Sequence, residues 1–176
     1  MRRYPSRSDF RIPEYEVNAG ERTDFELLRR QLEALMDGES DALANTANFV
    51  ALLHEALPEV NWVGVYVLRG SELVLGPFQG KPACVRIPLG SGVCGSAARE
   101  LRTLRVADVH DFEGHIACDP ASNSELVVPL LRGRRLIGVL DIDSPLKNRF
   151  SARDQAGLET LCKAFTAALT LERRFI

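Results

Sequence analysis

The sequence lacks the features that mark membrane, secreted and nucleic-acid-binding proteins. No apolar stretch approaches the roughly 20 residues that a bilayer crossing needs. Residues 1–10 carry positive charge without the apolar run of a secretory signal. Lys and Arg number 22 against 24 Asp and Glu, and the net charge of -2 gives no electrostatic reason to bind nucleic acid or an acidic membrane. We therefore expect a cytoplasmic protein that binds neither.

Cysteine is also scarce, because 4 cysteines in 176 residues are too few for a disulfide scaffold. No two of them form a CxxC pair, and their spacing from the histidines matches no ordinary zinc finger or ribbon, so no metal site is predicted. Cys162 falls on the apolar stripe of a predicted helix, where a buried and inert thiol is expected. Two interpretations stay open for the other three cysteines, Cys84, Cys94 and Cys118: they are reactive thiols, or they are unrelated buried thiols.

The composition that is present, 45% hydrophobic and 26% charged, is typical of a globular domain. Residues 1–22 mix Arg, Pro and Glu without a period and are predicted to be a lead-in arm. The length then allows one domain over residues 23–176.

Helical periodicity recurs at both ends of this domain. Thr23 and Glu26 have capping-box spacing and open a helix that Gly38 stops. A second helix follows Ser40 and ends at Pro58, and the side chains expected to point inward are Leu43, Ala47, Val50, Leu53 and Leu57. A last helix opens at Ser151, with Leu158, Leu161, Cys162, Phe165 and Leu169 on one apolar stripe.

The middle of the domain changes to the alternating pattern of strands. Strands are predicted over residues 61–68, 72–75, 84–87, 103–106, 125–131 and 135–143, with a short helix that opens at residues 90–92. Helices, then strands, then a helix indicate an α+β fold with a central, mostly antiparallel sheet flanked by helices.

Cys118 lies in a polar loop over residues 108–123, which is long enough to suggest a function. A thiol there is expected to meet solvent or ligand, and it reacts as the thiolate, which local positive potential stabilises. His115 could supply that potential, or it could be solvated. A Cys–His hydrolase remains an alternative, because such a dyad needs only those two groups and an orienting residue.

Alternation along the strands places two further sets of side chains on common faces. Trp62 and Tyr66 flank Gly64, which would leave a slot between flat walls; an ordinary aromatic core pair is the alternative. Asp141 and Asp143 share a face, and Glu125 on the neighbouring strand could join them. Such acids need a cation, a metal or solvent. Three converging carboxylates would select a free amino acid over a peptide residue, unless they are simply solvated surface acids.

Four stretches of the sequence carry a specific resemblance. NWVGVYVL (61–68), LVLGPFQGKPACVRIPLGSGVCG (73–95), DVHDFEGHIACDPASNSELVVPL (108–130) and LIGVLDIDSP (136–145) closely resemble the free methionine-(R)-sulfoxide reductases. These are small enzymes built on a single GAF domain, whose relatives include non-catalytic sensors of small ligands. The resemblance runs in order from about residue 61 to residue 145.

The resemblance implies roles for particular residues. Cys118 matches the catalytic cysteine, and Cys94 and Cys84 match the cysteines that resolve it. Trp62 and Tyr66 match positions around the substrate methyl group, and Glu125, Asp141 and Asp143 match acids that grip the ammonium and the sulfoxide oxygen. From loop position alone, the backbone amides from Ile116 and Ala117 to Cys118 are expected to hold the substrate carboxylate.

The implied reaction is the reduction of free methionine-(R)-sulfoxide through a Cys118 sulfenic acid and an intramolecular disulfide. A thioredoxin-type dithiol would reduce that disulfide, no cofactor is needed, and family members typically form homodimers. A proton would come from Glu125 or Asp143. Cys94 is the preferred resolving thiol, because its glycine-flanked turn can move, and Cys84 remains possible. A GAF sensor that binds a ligand without turnover is the alternative function.

Overall fold

Helices and strands follow each other in the order that the sequence predicts. The computed structural model describes residues 23–116 and 119–170, so the predictions for the arm over 1–22, for Ala117 and Cys118, and for 171–176 fall outside the described residues. The elements are α1 (Phe25–Met36), α2 (Ala42–Ala56), β1 (Trp62–Arg69), β2 (Glu72–Gln79), β3 (Arg86–Pro88), α3 (Gly92–Glu100), β4 (Leu104–Val106), β5 (Ser124–Arg132), β6 (Arg135–Ser144) and α4 (Ala152–Ala168), with a 3₁₀ turn at Val109–Asp111.

The strands form one six-stranded sheet in the order β3-β2-β1-β6-β5-β4, and each described pair of neighbours is antiparallel. The β5–β6 hairpin turns at Gly133, whose φ of 62° is one that glycine adopts easily. Pairing of β1 with β6 joins the two halves of the sheet. The architecture confirms the predicted α+β fold.

Each face of the sheet supports a different hydrophobic cluster. Val63, Val65 and Val67 of β1 point toward α1, α2 and α4, where they join the larger core. Trp62 and Tyr66 alternate with these valines and point to the opposite face, which α3 and the long loops cover. No helix in the described part of the chain has the length and apolar character of a bilayer crossing.

The start of α1 differs from its prediction by one residue. Asp24 is the N-cap rather than Thr23, and its Oδ1 accepts hydrogen bonds from the backbone N–H groups of Glu26 (3.1 Å) and Leu27 (3.0 Å). A carboxylate satisfies the free N–H groups of a first turn at least as well as a hydroxyl does. The capping box predicted for α4 is present, between Ser151 and Asp154.

The buried face of α2 is turned away from its predicted position. Leu43 is 62% exposed and Ala47 is also exposed, so these two inward predictions are wrong. Phe49 lies inward instead and stacks on Phe165 of α4, with ring centroids 4.3 Å apart. Burying that large ring outweighs burying Leu43, because buried aromatic area dominates the energy of such a contact.

Replacing Phe49 with Ala is expected to lower the free energy of unfolding by about 3–5 kcal/mol, because it removes a fully buried ring and leaves a cavity. Leu43→Ala, on the same helix, is the matched control and should change that free energy by no more than about 0.5 kcal/mol. Urea unfolding of both variants tests the assignment. Equal losses would show that Leu43 faces the core after all.

Candidate active site

A pocket opens on the sheet face that carries Trp62, between the start of α3 and the loops that follow β2 and the 3₁₀ turn. It encloses about 530 Å³ of space, its open mouth included. The residues of the sequence prediction that line it are Trp62, Tyr66, Cys94, Ile116, Glu125, Asp141 and Asp143. Cys84 is half-buried and is not among the lining residues, although its neighbour Ala83 is. We call this cavity the site pocket.

One wall of the site pocket is aromatic. The Trp62 ring stacks between Tyr66 (centroids 5.9 Å apart) and Phe78 (5.6 Å apart). A Cβ atom on Gly64 would lie 2.2 Å from the Trp62 ring, so the ring itself occupies the space that was expected to be an open slot. The aromatic residues are therefore both a buried pair and a flat wall, and the absence of a side chain at Gly64 permits that wall.

The aromatic wall also anchors the segment that carries Cys84. Trp62 Nε1 donates a hydrogen bond to the carbonyl oxygen of Lys81 (3.0 Å), and the Tyr66 hydroxyl donates to that of Cys84 (3.1 Å). Each polar end of these buried rings is thereby satisfied. As a result, residues 81–84 are held along the edge of the site pocket.

The three predicted acids, which we call the acid trio (Glu125, Asp141 and Asp143), lie beside the aromatic wall on the same face of the sheet, where Asp143 is the cross-strand partner of Trp62. Strand pairing brings them together, because Glu125 of β5 lies directly opposite Asp143 of β6 and Asp141 shares the face of Asp143. Only 6% of Glu125 and 7% of Asp141 is exposed. Asp143 is half-buried. None of the three is a fully solvated surface acid, so that alternative is wrong.

Burial changes the protonation of the acid trio. It raises the pKa of Glu125 and of Asp143 well above the usual range of a carboxyl group, and the charge of Asp141 adds to the effect on both. Burial also raises the pKa of Asp141 to about 6, although hydrogen bonds with Cys94 and Glu125 oppose that rise. Near neutral pH the acid trio therefore holds protons that exposed carboxyl groups would have lost.

Cys94 lies beside the acid trio, on the first turn of α3. Its Sγ is 3.9 Å from Glu125 Oε1, and only 4% of the residue is exposed. Burial, with the nearby charges of Asp141 and Glu125, raises the pKa of this thiol well above its usual value. Cys94 is therefore a thiol rather than a thiolate in the free protein.

His115 is half-buried at the mouth of the site pocket, with Nε2 3.8 Å from Glu125 Oε2. Desolvation lowers the pKa of His115, and the charge of His110 lowers it further. The imidazole is therefore mostly uncharged near neutral pH, which does not favour the idea that His115 supplies positive potential to a thiolate.

Sequence reasoning missed a polar cluster centred on Asp119. Its Oδ2 accepts a hydrogen bond from Asn61 (3.2 Å), and its Oδ1 accepts from the Ala121 N–H (2.9 Å) and from the Lys81 ammonium (3.3 Å). The Ala121 N–H, helped by Lys81 and Asn61, holds the pKa of Asp119 below its usual range. The cluster joins segments 58 and 38 positions apart, so no local pattern could reveal it.

Three residues of the sequence prediction remain: Ala117 and Cys118, which are predicted for the site, and Cys162, which is predicted for the core. Ala117 and Cys118 lie outside the described residues, but Ile116 and Asp119 on either side of them both line the site pocket. Ile116 also packs at Gly92, where a Cβ atom would come within 3.2 Å of its side chain. Cys162 is 3% exposed within the larger core, which confirms the prediction of a buried thiol.

Comparisons with known proteins agree with this geometry. The GAF domain family matches residues 45–170. The free methionine-R-sulfoxide reductase of Escherichia coli K12 is 56% identical over 134 residues, which cover 76% of this chain and 81% of that protein. The structure of the Neisseria meningitidis free methionine-R-sulfoxide reductase with its substrate matches with a TM-score of 0.81 at 40% identity, covering 89% of this chain and 96% of that one. A substrate complex of the Staphylococcus aureus protein named fRMsr matches with a TM-score of 0.81 at 49% identity, covering 85% and 98%.

The resemblance seen in the sequence motifs is confirmed by the relatives and by the solved structures. The chain belongs to the free methionine-R-sulfoxide reductases, a family of GAF-domain oxidoreductases.

Proposed function

We propose that this protein reduces free methionine-(R)-sulfoxide to methionine in the site pocket, and that it does so in the cytoplasm. The observation that carries the proposal is the acid trio, with Glu125 and Asp141 buried, lying beside an aromatic wall in one pocket. Of the described residues that line the pocket, only Lys81 has a permanent positive charge, and its ammonium is paired with Asp119. The acid trio therefore has no cationic partner among these residues, and the ammonium group of the substrate would be its partner. The relatives named for this activity support the same conclusion.

The chemistry of the acid trio favours a free amino acid as substrate. A free amino acid carries an ammonium group, whereas a methionine sulfoxide residue inside a peptide carries an uncharged amide. Buried carboxylates gain most from a ligand that neutralises them, because an unpaired charge out of water is costly. The flat Trp62 and Tyr66 rings offer apolar surface to the methyl group on sulfur. The backbone N–H groups at Ile116, Ala117 and Cys118 would hold the carboxylate.

Cys118 would be the nucleophile in this scheme. Its thiolate attacks the sulfoxide sulfur while a carboxylic acid protonates the oxygen. The bond between the two sulfurs and the S–O bond of the substrate then break as the oxygen, now a hydroxyl, passes to the Cys118 sulfur. The substrate sulfur gains two electrons and leaves as methionine, and Cys118 loses two electrons and becomes a sulfenic acid. Proton delivery is needed because bare oxide is a poor leaving group, and a positioned acid contributes about 10²–10⁴-fold in rate.

Glu125 and Asp143 are the proposed proton donors. Because their pKa values lie well above the usual range, each can hold a proton near neutral pH and give it to the oxygen. Asp141, whose pKa is about 6, is the member of the trio most readily ionised and is proposed to hold the ammonium.

A second thiol would then condense with the sulfenic acid, releasing water and forming a disulfide that a thioredoxin-type dithiol reduces. We assign this step to Cys84 rather than to Cys94, the thiol that the sequence favoured. Thiols attack as thiolates, and burial beside the acid trio raises the pKa of Cys94. Cys84 is less buried and lies in the segment held along the edge of the site pocket. A homodimer is expected from the resemblance alone.

Cys118→Ser should abolish reduction of free methionine-(R)-sulfoxide, by about 10³-fold or more, because the nucleophile and redox centre is lost. NADPH consumption coupled through thioredoxin and its reductase measures this, with the S epimer tested alongside. A non-catalytic GAF sensor would show no turnover in the unaltered chain. Equal rates on the two epimers would contradict the proposed stereochemistry.

Asp141→Asn should weaken substrate binding yet stabilise the free protein above pH 6. Its carboxyl has a pKa of about 6 when folded against 3.8 as the reference value, so its contribution to stability is complete below pH 3.8 and is lost as pH rises through 6. The variant should gain at most about 3 kcal/mol at pH 8 and almost nothing at pH 4. Urea unfolding at both pH values measures this.

Glu55→Gln, which removes an exposed acid from α2, is the matched control and should change stability little at either pH. A gain from Asp141→Asn that is the same at pH 4 and pH 8 would contradict the assigned cause, namely the cost of a buried charge.

Oxidation by one equivalent of methionine sulfoxide without reductant should give a Cys84–Cys118 disulfide in peptide mapping. With excess substrate, thioredoxin and its reductase present, Cys84→Ser should release about one equivalent of methionine and then stop, whereas the unaltered protein turns over. Cys94→Ser should still form the same disulfide. A Cys94–Cys118 peptide from the unaltered protein would refute the assignment to Cys84.

A further inference from the structure

Cys94 is a buried thiol that the proposed reaction does not use. Its Sγ, a carboxylate oxygen of Glu125 and one of Asp141 all lie within 4.8 Å of one another. All three residues are more than nine-tenths buried, and all three line the site pocket. One thiol and two carboxylates therefore converge on a single point that can be reached from the pocket mouth.

A second observation shows that this cluster is incomplete. Asp141 Oδ1 is buried and has no hydrogen-bond partner among the described residues, although it lies in a pocket wall. A buried carboxylate oxygen without a donor costs free energy, and buried polar atoms in proteins are nearly always partnered. The oxygen is therefore available to a ligand that can accept its electron pair.

We propose that Cys94, Glu125 and Asp141 bind a thiophilic divalent cation of the zinc type, which blocks the site reversibly. Zinc bonds of about 2.3 Å to sulfur and 2.0–2.2 Å to oxygen place tetrahedral ligands roughly 3.6 Å apart. The observed distance between Cys94 Sγ and Glu125 Oε1 is 3.9 Å, so this pair needs a shift of only a few tenths of an ångström, and the Asp141 oxygen, within 4.8 Å of both atoms, has to move closer to them.

The remaining coordination position also has a ligand at hand. His115 Nε2 lies 3.8 Å from the other oxygen of Glu125, next to the three-residue cluster, and a neutral imidazole is a common metal ligand. Thiolate, carboxylate and imidazole are the donors that zinc prefers. The ion would displace the protons of the thiol and of the carboxyl groups, which leave to solvent without any change in oxidation state.

Occupancy would inhibit the reductase, and this part of the inference rests on the proposed function. Of the two carboxylates that the ion would hold, Asp141 is assigned to the substrate ammonium and Glu125 to proton delivery, so the ion and the substrate exclude each other. Inhibition would therefore be competitive with free methionine sulfoxide and reversed by a chelator.

Cobalt(II) titration of the reduced protein tests the site independently of activity, because a thiolate bound to cobalt gives a charge-transfer absorption. One equivalent should produce the band, and zinc should remove it by displacement. Cys94→Ser should abolish it, while Cys84→Ser and Cys118→Ser should keep it. Asp141→Asn should keep the band with affinity weakened at least about tenfold, which separates a lost ligand from a lost fold.

A band that survives in Cys94→Ser, or saturation only at millimolar cobalt, would overturn the site. Zinc inhibition that competes with methionine sulfoxide in the coupled assay would support the shared carboxylates. A protein that binds cobalt through Cys94 but reduces no methionine sulfoxide would retain the metal site and refute the proposed function instead.

Discussion

Three carboxyl groups on one face of the sheet, two of them buried and the third half-buried, are the constraint on which the site depends. Antiparallel pairing sets Glu125 opposite Asp143, and the two-residue repeat of β6 sets Asp141 on the same side. Because water is mostly excluded, the group must hold protons or attract a cation. The raised pKa values express the free-energy cost of a buried charge, and the unpartnered oxygen of Asp141 adds to that cost. A cluster of the same three acids on the protein surface would neither hold protons near neutral pH nor need a cation.

The sheet can bear this cost because its other face belongs to the larger core. The strands that present Asp141 and Trp62 to the site pocket present Ile142 and Val63 to the helices, where both are fully buried. A one-residue slip of β1 against β6 would exchange the two sets and place carboxylates in the core. Apolar packing therefore fixes the register, and the register fixes the spacing of the polar groups.

Much of this arrangement could be predicted from the sequence, because alternation along a strand determines which side chains share a face. Alternation groups Trp62 with Tyr66 and Asp141 with Asp143, and in the structure the members of each pair share a face. Alternation does not determine which face is covered, so the acids are equally compatible with a solvated surface in the sequence. In the structure α3 and the loops cover them. The rotation of α2 depended on Phe49 meeting Phe165, a contact between distant segments. The cluster around Asp119 escaped prediction for the same reason.

The described thiols show how environment rather than sequence decides what a cysteine can do. Cys162 lies in the larger core among apolar side chains, and burial raises its pKa, which disfavours the reactive thiolate. Cys94 is equally buried but has acids as neighbours, which oppose a thiolate as long as nothing positive is present. A metal ion reverses that effect, because its own charge compensates the thiolate and the carboxylates together. Buried acids that make Cys94 a poor nucleophile would therefore make it a good ligand, and the half-buried Cys84 remains the better candidate for thiol exchange.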